Sequence, residues 1–230
     1  MVTGAGRGIG AAIARRLAEE GAAVVLAARS AGEIDGVASA IQRGGGQAHA
    51  VPTDVRDERA VAALAQAALD CHGRIDVLVA AAGVAAFGDV AQTNPREWDE
   101  MMAVNLRGAF LSARAVLPTM TERRRGTIIA VGSMVTGRTL PGSSAYTASK
   151  YGLLGFCRVL AEEMRPHGVR VGVLSAGAVD TPLWDSILGG PDRALMIRPE
   201  QVADAALLMA TLGANASLEE LTLMPARGVL

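Results

Sequence analysis

Tyr146 and Lys150, four residues apart in the stretch Tyr-Thr-Ala-Ser-Lys, are the pair in this chain best placed to move a proton. On a helix, positions i and i+4 share a face. An unperturbed phenol titrates at about 10, and a nearby ammonium lowers that value by stabilising the phenolate. Such a tyrosine can donate or accept a proton near neutrality. Ser133 stands 13 residues upstream, at the exit of an apolar run that reads as a strand, and its hydroxyl could hold a substrate oxygen beside Tyr146. The second cluster is TGAGRGIG, the loop Thr3, Gly4, Ala5, Gly6, Arg7, Gly8, Ile9 and Gly10. At a strand-to-helix turn, backbone N–H groups and the helix dipole suit a diphosphate. Gly4 permits the tight turn, Gly8 lets the diphosphate approach the backbone, and Gly10 allows helix and strand to pack closely. The spacing is GxxxGxG, not the GxGxxG of the general dinucleotide fingerprint.

Positioning these groups requires alternating strands and helices. Strand candidates are Ala23–Ala28, Gln47–Val51, Ile75–Ala80, Thr127–Gly132, Val169–Ser175 and Glu219–Met224. Most are near-continuous apolar runs, as expected for strands covered on both faces. Helical periodicity runs over Gly8–Glu20 and stops at Gly21. Asp57 can cap a helix to Cys71, ended by Gly73. Asn94-Pro95 opens a long helix toward Met120, with Pro118 expected to kink or end it. Further helices are expected over Ala145–Arg165 and from Pro199 through Leu212. The pattern predicts one α/β domain over residues 1–230, a doubly wound parallel sheet of Rossmann-like type. Only Met1 and Val2 precede the glycine loop, so the first, central strand reads as truncated: either residues are missing ahead of it, or the strand is stunted.

The loop, the serine 13 residues before Tyr-Thr-Ala-Ser-Lys, and Val104-Asn105 on the long helix together resemble the short-chain dehydrogenase/reductase family, common single-domain branch. The order and distances match over essentially the whole chain after Val2. The resemblance implies that Tyr146 is the general acid/base, that Lys150 lowers its pKa and binds the nicotinamide ribose, and that Ser133 orients the carbonyl. It also implies that Asn105 holds a water linking Lys150 to solvent. Asp54-Val55 resembles the pair that contacts adenine, and Thr181 the threonine at the nicotinamide end. Two departures stand out. Ala80-Ala81-Ala82-Gly83 replaces the usual Asn-Asn-Ala-Gly, leaving Gly83 but removing amides that support the sheet and cofactor wall. Ala176-Gly177 replaces Pro-Gly and leaves that turn less rigid.

At the end of the second strand Ala28 is neutral, where an enzyme using NAD usually carries an acid. Arg29 could pair with a 2′-phosphate, and Arg7 adds a second cation, so NADP is expected over NAD. Candidate substrate walls are Val84–Gly88, Met134–Gly142 and the lid-like segment Leu183–Leu195, which includes a Gly189-Gly190-Pro191 loop. They carry Phe87 and Trp184 and little charge, which points to an apolar ketone, aldehyde or alcohol. Trp184 suits lid packing or a subunit contact equally. The leading reading is an NADP-dependent oxidoreductase. The alternative is a non-catalytic nucleotide-sensing protein on the same fold, and a sugar-nucleotide epimerase of the extended branch fits poorly.

With 22 basic against 23 acidic residues, charge gives no reason to expect nucleic acid or an anionic membrane as partner. Arg123-Arg124-Arg125 reads as solvated surface. No metal site is expected from the scattered His49, His72 and His167, nor from Cys71 and Cys157, which suit a reducing cytosol. No apolar run is long enough to span a bilayer and no signal-peptide layout is present, so a cytoplasmic protein is expected. By family analogy the long helix and the helix bearing Tyr146 pair subunits, giving a homotetramer or a homodimer.

Overall fold

The computed structural model describes residues 1–187, 190–213 and 215–229. Seven parallel strands form one sheet in the order β3-β2-β1-β4-β5-β6-β7. They are β1 (Val2–Thr3), β2 (Ala23–Ala28), β3 (Gln47–Pro52), β4 (Val77–Ala80), β5 (Gly126–Val131), β6 (Val169–Ala176) and β7 (Glu220–Leu223). The expected short first strand lies at the centre and pairs on both sides, Val2 with Leu26 and Val79, Thr3 with Ala27 and Ala80. The Thr3 hydroxyl extends this contact by donating to the Val79 carbonyl at 3.5 Å and accepting from the Ala82 N–H at 3.4 Å.

Helices cover both faces. On one side lie α1 (Gly8–Glu19), α2 (Ala31–Arg43) and a late helix over Pro199–Thr211; on the other lie α3 (Glu58–His72) and the helices that carry the site. Successive strand residues point to opposite faces of a sheet. Accordingly Val24, Leu26, Ile129 and Leu174 join one core, while Val25, Ala27, Ile128 and Val173 join the other. This two-sided burial explains the near-continuous apolar strands.

Helix boundaries follow local chemistry. The Asp57 carboxylate accepts from the N–H groups of Arg59 and Ala60, and Gly73 ends α3 in the left-handed conformation at φ 70°. Sequence reading passed over α2, although Ser30 caps it and Ile34, Val37, Ala38 and Ile41 give it a helical apolar stripe. The long helix from Pro95 is composite: α4 (Pro95–Met101), a π-helical stretch over Met102–Arg107, and α5 (Gly108–Glu122). Pro118 neither ends nor breaks α5, which continues to Glu122. It lies on the exposed face, where water can serve the Arg114 carbonyl that its missing N–H leaves free. The helix bearing Tyr146 is α6 (Ser144–Met164), and the late helix is α7. Among the described residues, no helix is long and apolar enough to cross a membrane.

Candidate active site

In an open doubly wound sheet, ligands bind outside the carboxyl ends of the strands where strand order reverses. Here that point lies between β1 and β4, and a cleft of about 430 Å³ opens there. The glycine loop forms one wall. Gly4 has φ +67°, and a Cβ on it would fall 2.7 Å from the Ala82 backbone. A Cβ on Gly10 would fall 2.2 Å from the Gly4 carbonyl oxygen, so only glycine lets α1 begin this close to the turn. Gly8, at φ +56°, faces the Thr181 side chain. The cleft is lined by Gly4, Gly6, Arg7, Gly8, Ile9 and Gly10 but not by Thr3, which is buried beneath it. A backbone cradle with no room for side chains, at the start of a helix, fits a dinucleotide diphosphate.

The catalytic candidates meet at the end of β5 in the same cleft. Ser133 follows that strand by two residues and lines the cleft with Tyr146; its hydroxyl accepts from the Val135 N–H at 3.4 Å. Tyr146 is half-buried against the cleft. Burial pushes its phenol above the ordinary value, and the nearby Ser133 hydroxyl pulls the other way. Lys150 is buried; its ammonium donates to the Val131 carbonyl at 2.9 Å and lies 5.7 Å from the centre of the Tyr146 ring. Desolvation lowers it to about 8. Burial is thus the larger influence on the phenol in this structure, with the Lys150 ammonium lying over the Tyr146 ring.

Asn105 lies in the π-helical stretch, almost fully buried. Its amide oxygen accepts from the Val84 N–H at 2.8 Å; its amide nitrogen donates to the Val84 carbonyl and to Ser149 Oγ, each at 2.9 Å. Ser149 in turn donates to the Tyr146 carbonyl at 2.7 Å. Both amide hydrogens are thus engaged in joining the segment after β4 to the second turn of α6. Sequence reading missed Ser149, whose only signal was a small polar residue on the inner face of a helix. Gly83 sits between: a Cβ there would be 3.5 Å from Asn105 Oδ1 and 3.8 Å from Lys150 Nζ.

At the other end of the cleft the charges pair among themselves. Asp54 lines the cavity, but Arg56 takes both its oxygens at 2.6 to 3.0 Å and holds the carboxyl below its usual range. Val55 packs against Gly108. Arg29 lies 3.6 Å from Glu100, which also pairs with Arg56, while Arg7 is exposed at the rim. Glu33, unassigned from sequence, also lines this end. Thr181 is buried against the glycine loop. Beyond it Trp184 donates to the Val179 carbonyl at 3.0 Å and stacks on Phe87, whose ring centre is 5.9 Å from that of Tyr146. Leu188 and Gly189 of the expected lid lie outside the described residues.

Known proteins resemble this chain in sequence and fold. Residues 1–190 match the family model described as short chain dehydrogenase. The short-chain reductase protein NovJ of Streptomyces niveus is 40% identical over 199 residues, 85% of this chain and 76% of its own length. A metagenomic short-chain oxidoreductase solved in complex with NADP superimposes with a TM-score of 0.86 at 39% identity, covering 98% of this chain and 95% of its own. A 3-ketoacyl-(acyl-carrier-protein) reductase from Brucella melitensis, complexed with NADH, gives 0.90 at 30% identity over 99% and 96%. With its sheet order, glycine loop and Ser133–Tyr146–Lys150 cluster in one cleft, the chain belongs to the short-chain dehydrogenase/reductase family of oxidoreductases.

Proposed function

We propose that residues 1–230 form one coenzyme-binding domain that interconverts a ketone or aldehyde with its alcohol, using NADP in preference to NAD. The observation that carries this reading is the placement of Ser133, Tyr146 and Lys150 in the same cleft as the glycine loop. When bound, the nicotinamide coenzyme supplies or takes the hydride. The protein supplies position and a proton. Ser133 holds the substrate oxygen beside Tyr146, which donates its proton to a carbonyl oxygen in reduction and accepts one from the alcohol in oxidation. Lys150, at about 8, is still mostly protonated at neutral pH and offsets the negative charge that forms on the phenol. It would also hold the nicotinamide ribose. Asn105 would serve the proton relay, using a group other than its two amide hydrogens, which Val84 and Ser149 occupy.

Support for NADP comes from Ala28, which brings no acid to the end of β2, and from Arg7 and Arg29 at the rim. A related oxidoreductase was solved with NADP. Gly4, Gly6, Gly8, Ile9 and Gly10 would cradle the diphosphate above Thr3, Asp54 and Val55 would face the adenine, and Gly83 and Thr181 the nicotinamide end. The walls near Tyr146, with Phe87, Met134, Leu140 and Trp184, suit an apolar carbonyl substrate. Exposed Phe110, Tyr151 and Val159 on α5 and α6 support pairing of these helices in a homotetramer or homodimer. Two unpaired cysteines suit a reducing cytoplasm.

Tyr146→Phe tests the reading. Turnover of a carbonyl panel should fall by about 10²- to 10⁴-fold, the usual worth of a positioned acid/base, while coenzyme affinity stays within about threefold. Unchanged turnover would refute the role of Tyr146. An unchanged biological effect of the variant would favour a nucleotide sensor.

A further inference from the structure

Glu33 lines the cleft together with the glycine loop and the end of β2. It belongs to the first turn of α2, and its N–H donates to the capping Ser30 hydroxyl at 3.4 Å. Its side chain folds back over the glycine loop. A Cβ on Gly6 would fall 2.7 Å from Glu33 Oε2 and 3.0 Å from Glu33 Cβ, with the Ala28 methyl 3.5 Å away. Glu33 and the Ala28 methyl thus both border the middle of the loop, and Glu33 lines the cleft. In doubly wound folds, this corner holds the acid that accepts from the ribose 2′-OH. Here the strand contributes only the Ala28 methyl group. The missing side chain at Gly6 is what gives Glu33 the room.

We propose that Glu33 is a coenzyme-discriminating residue: its carboxylate receives the ribose 2′-hydroxyl of NAD(H) and opposes the 2′-phosphate of NADP(H). The proposal rests on the reading of the cleft as a dinucleotide site. A phosphate monoester carries about −1.5 to −2 charges at neutral pH, so a carboxylate at the same corner acts against it. Among the described residues Glu33 has no cationic partner, whereas Arg29 is already beside Glu100. Arg7 and Arg29 thus draw the phosphate in, and Glu33 holds the preference for NADP to a modest one. The chain accordingly uses both coenzymes.

The test is a nicotinamide-fluorescence titration of the whole chain with NADPH and with NADH. Wild type should bind both. Glu33→Gln keeps an acceptor for the hydroxyl but removes the charge, so NADPH should bind about tenfold tighter while NADH changes less than about threefold. Glu33→Ala should tighten NADPH similarly and weaken NADH about fivefold, since the hydroxyl loses its acceptor. Glu33 is exposed, so neither change threatens the fold. If both coenzymes bind and neither variant moves their affinity ratio by more than about threefold, the role of Glu33 is overturned while the dinucleotide reading stands. If wild type binds neither coenzyme, the reading itself fails and the proposal with it.

Discussion

Asn105→Ala should lower the thermal stability of the protein, because one side chain makes three hydrogen bonds to two other segments. The Val84 N–H loses its acceptor, and the Val84 carbonyl and Ser149 Oγ lose their donor. Asn105 and Ser149 are buried, at 1% and 0% exposure, so water does not readily replace the lost partner. A net hydrogen bond contributes about 1 kcal/mol, and groups left unsatisfied raise the loss further. Val84 is only partly buried and can recover some solvation, which places the sum at about 3 kcal/mol. For a chain of this size each kcal/mol moves Tm by about 2–4 °C. The expected drop is therefore roughly 6–12 °C, measured by calorimetry without coenzyme at fixed pH. Asn105→Asp is the sharper companion. It keeps the acceptor for Val84 N–H but sets a carboxylate oxygen against the Val84 carbonyl, so its Tm should fall at least as far. A drop below about 3 °C for the alanine variant would refute the reasoning, and would mean that the segment after β4 is held by packing alone.

Gly10→Ala should raise the Kd for nicotinamide coenzymes at least about tenfold in a fluorescence titration, because its Cβ would fall 2.2 Å from the Gly4 carbonyl oxygen and force loop and helix apart. Gly36→Ala in α2 is its control, since a Cβ there meets nothing; that variant should gain up to about 1 kcal/mol from helix propensity. Burial lowers Lys150 from 10.5 to about 8, so between those values the unfolded chain holds more protons than the folded one and this group's contribution to stability rises with pH. Below about 8 both states are protonated and the contribution is flat. Urea unfolding of wild type and Lys150→Met across pH 7 to about 10.5 should show the difference moving toward wild type above about 8, and a pH-independent difference would contradict the burial of the ammonium.

The alternation of apolar runs with helical periodicity already pointed to a parallel doubly wound sheet, because strands covered on both faces must be apolar throughout. Caps at Asp57 and Asn94 were legible for the same reason: a helix start leaves N–H groups that a nearby side chain can serve. Tyr146 and Lys150 are four residues apart, so their shared face follows from helix geometry, and the resemblance of the glycine loop supplied its partner site. Interactions between distant segments stayed hidden. Ser149 meets Asn105 across 44 residues, and nothing in either local pattern marks the pair. Glu33 reads as an ordinary first-turn acid until Gly6 is folded beneath it. The bond from the Lys150 ammonium to the Val131 carbonyl likewise depends on where β5 ends. Local sequence settles which face of a helix or strand a residue occupies. Only tertiary packing decides which buried group lies within hydrogen-bond reach, and therefore which charges the site leaves free to act.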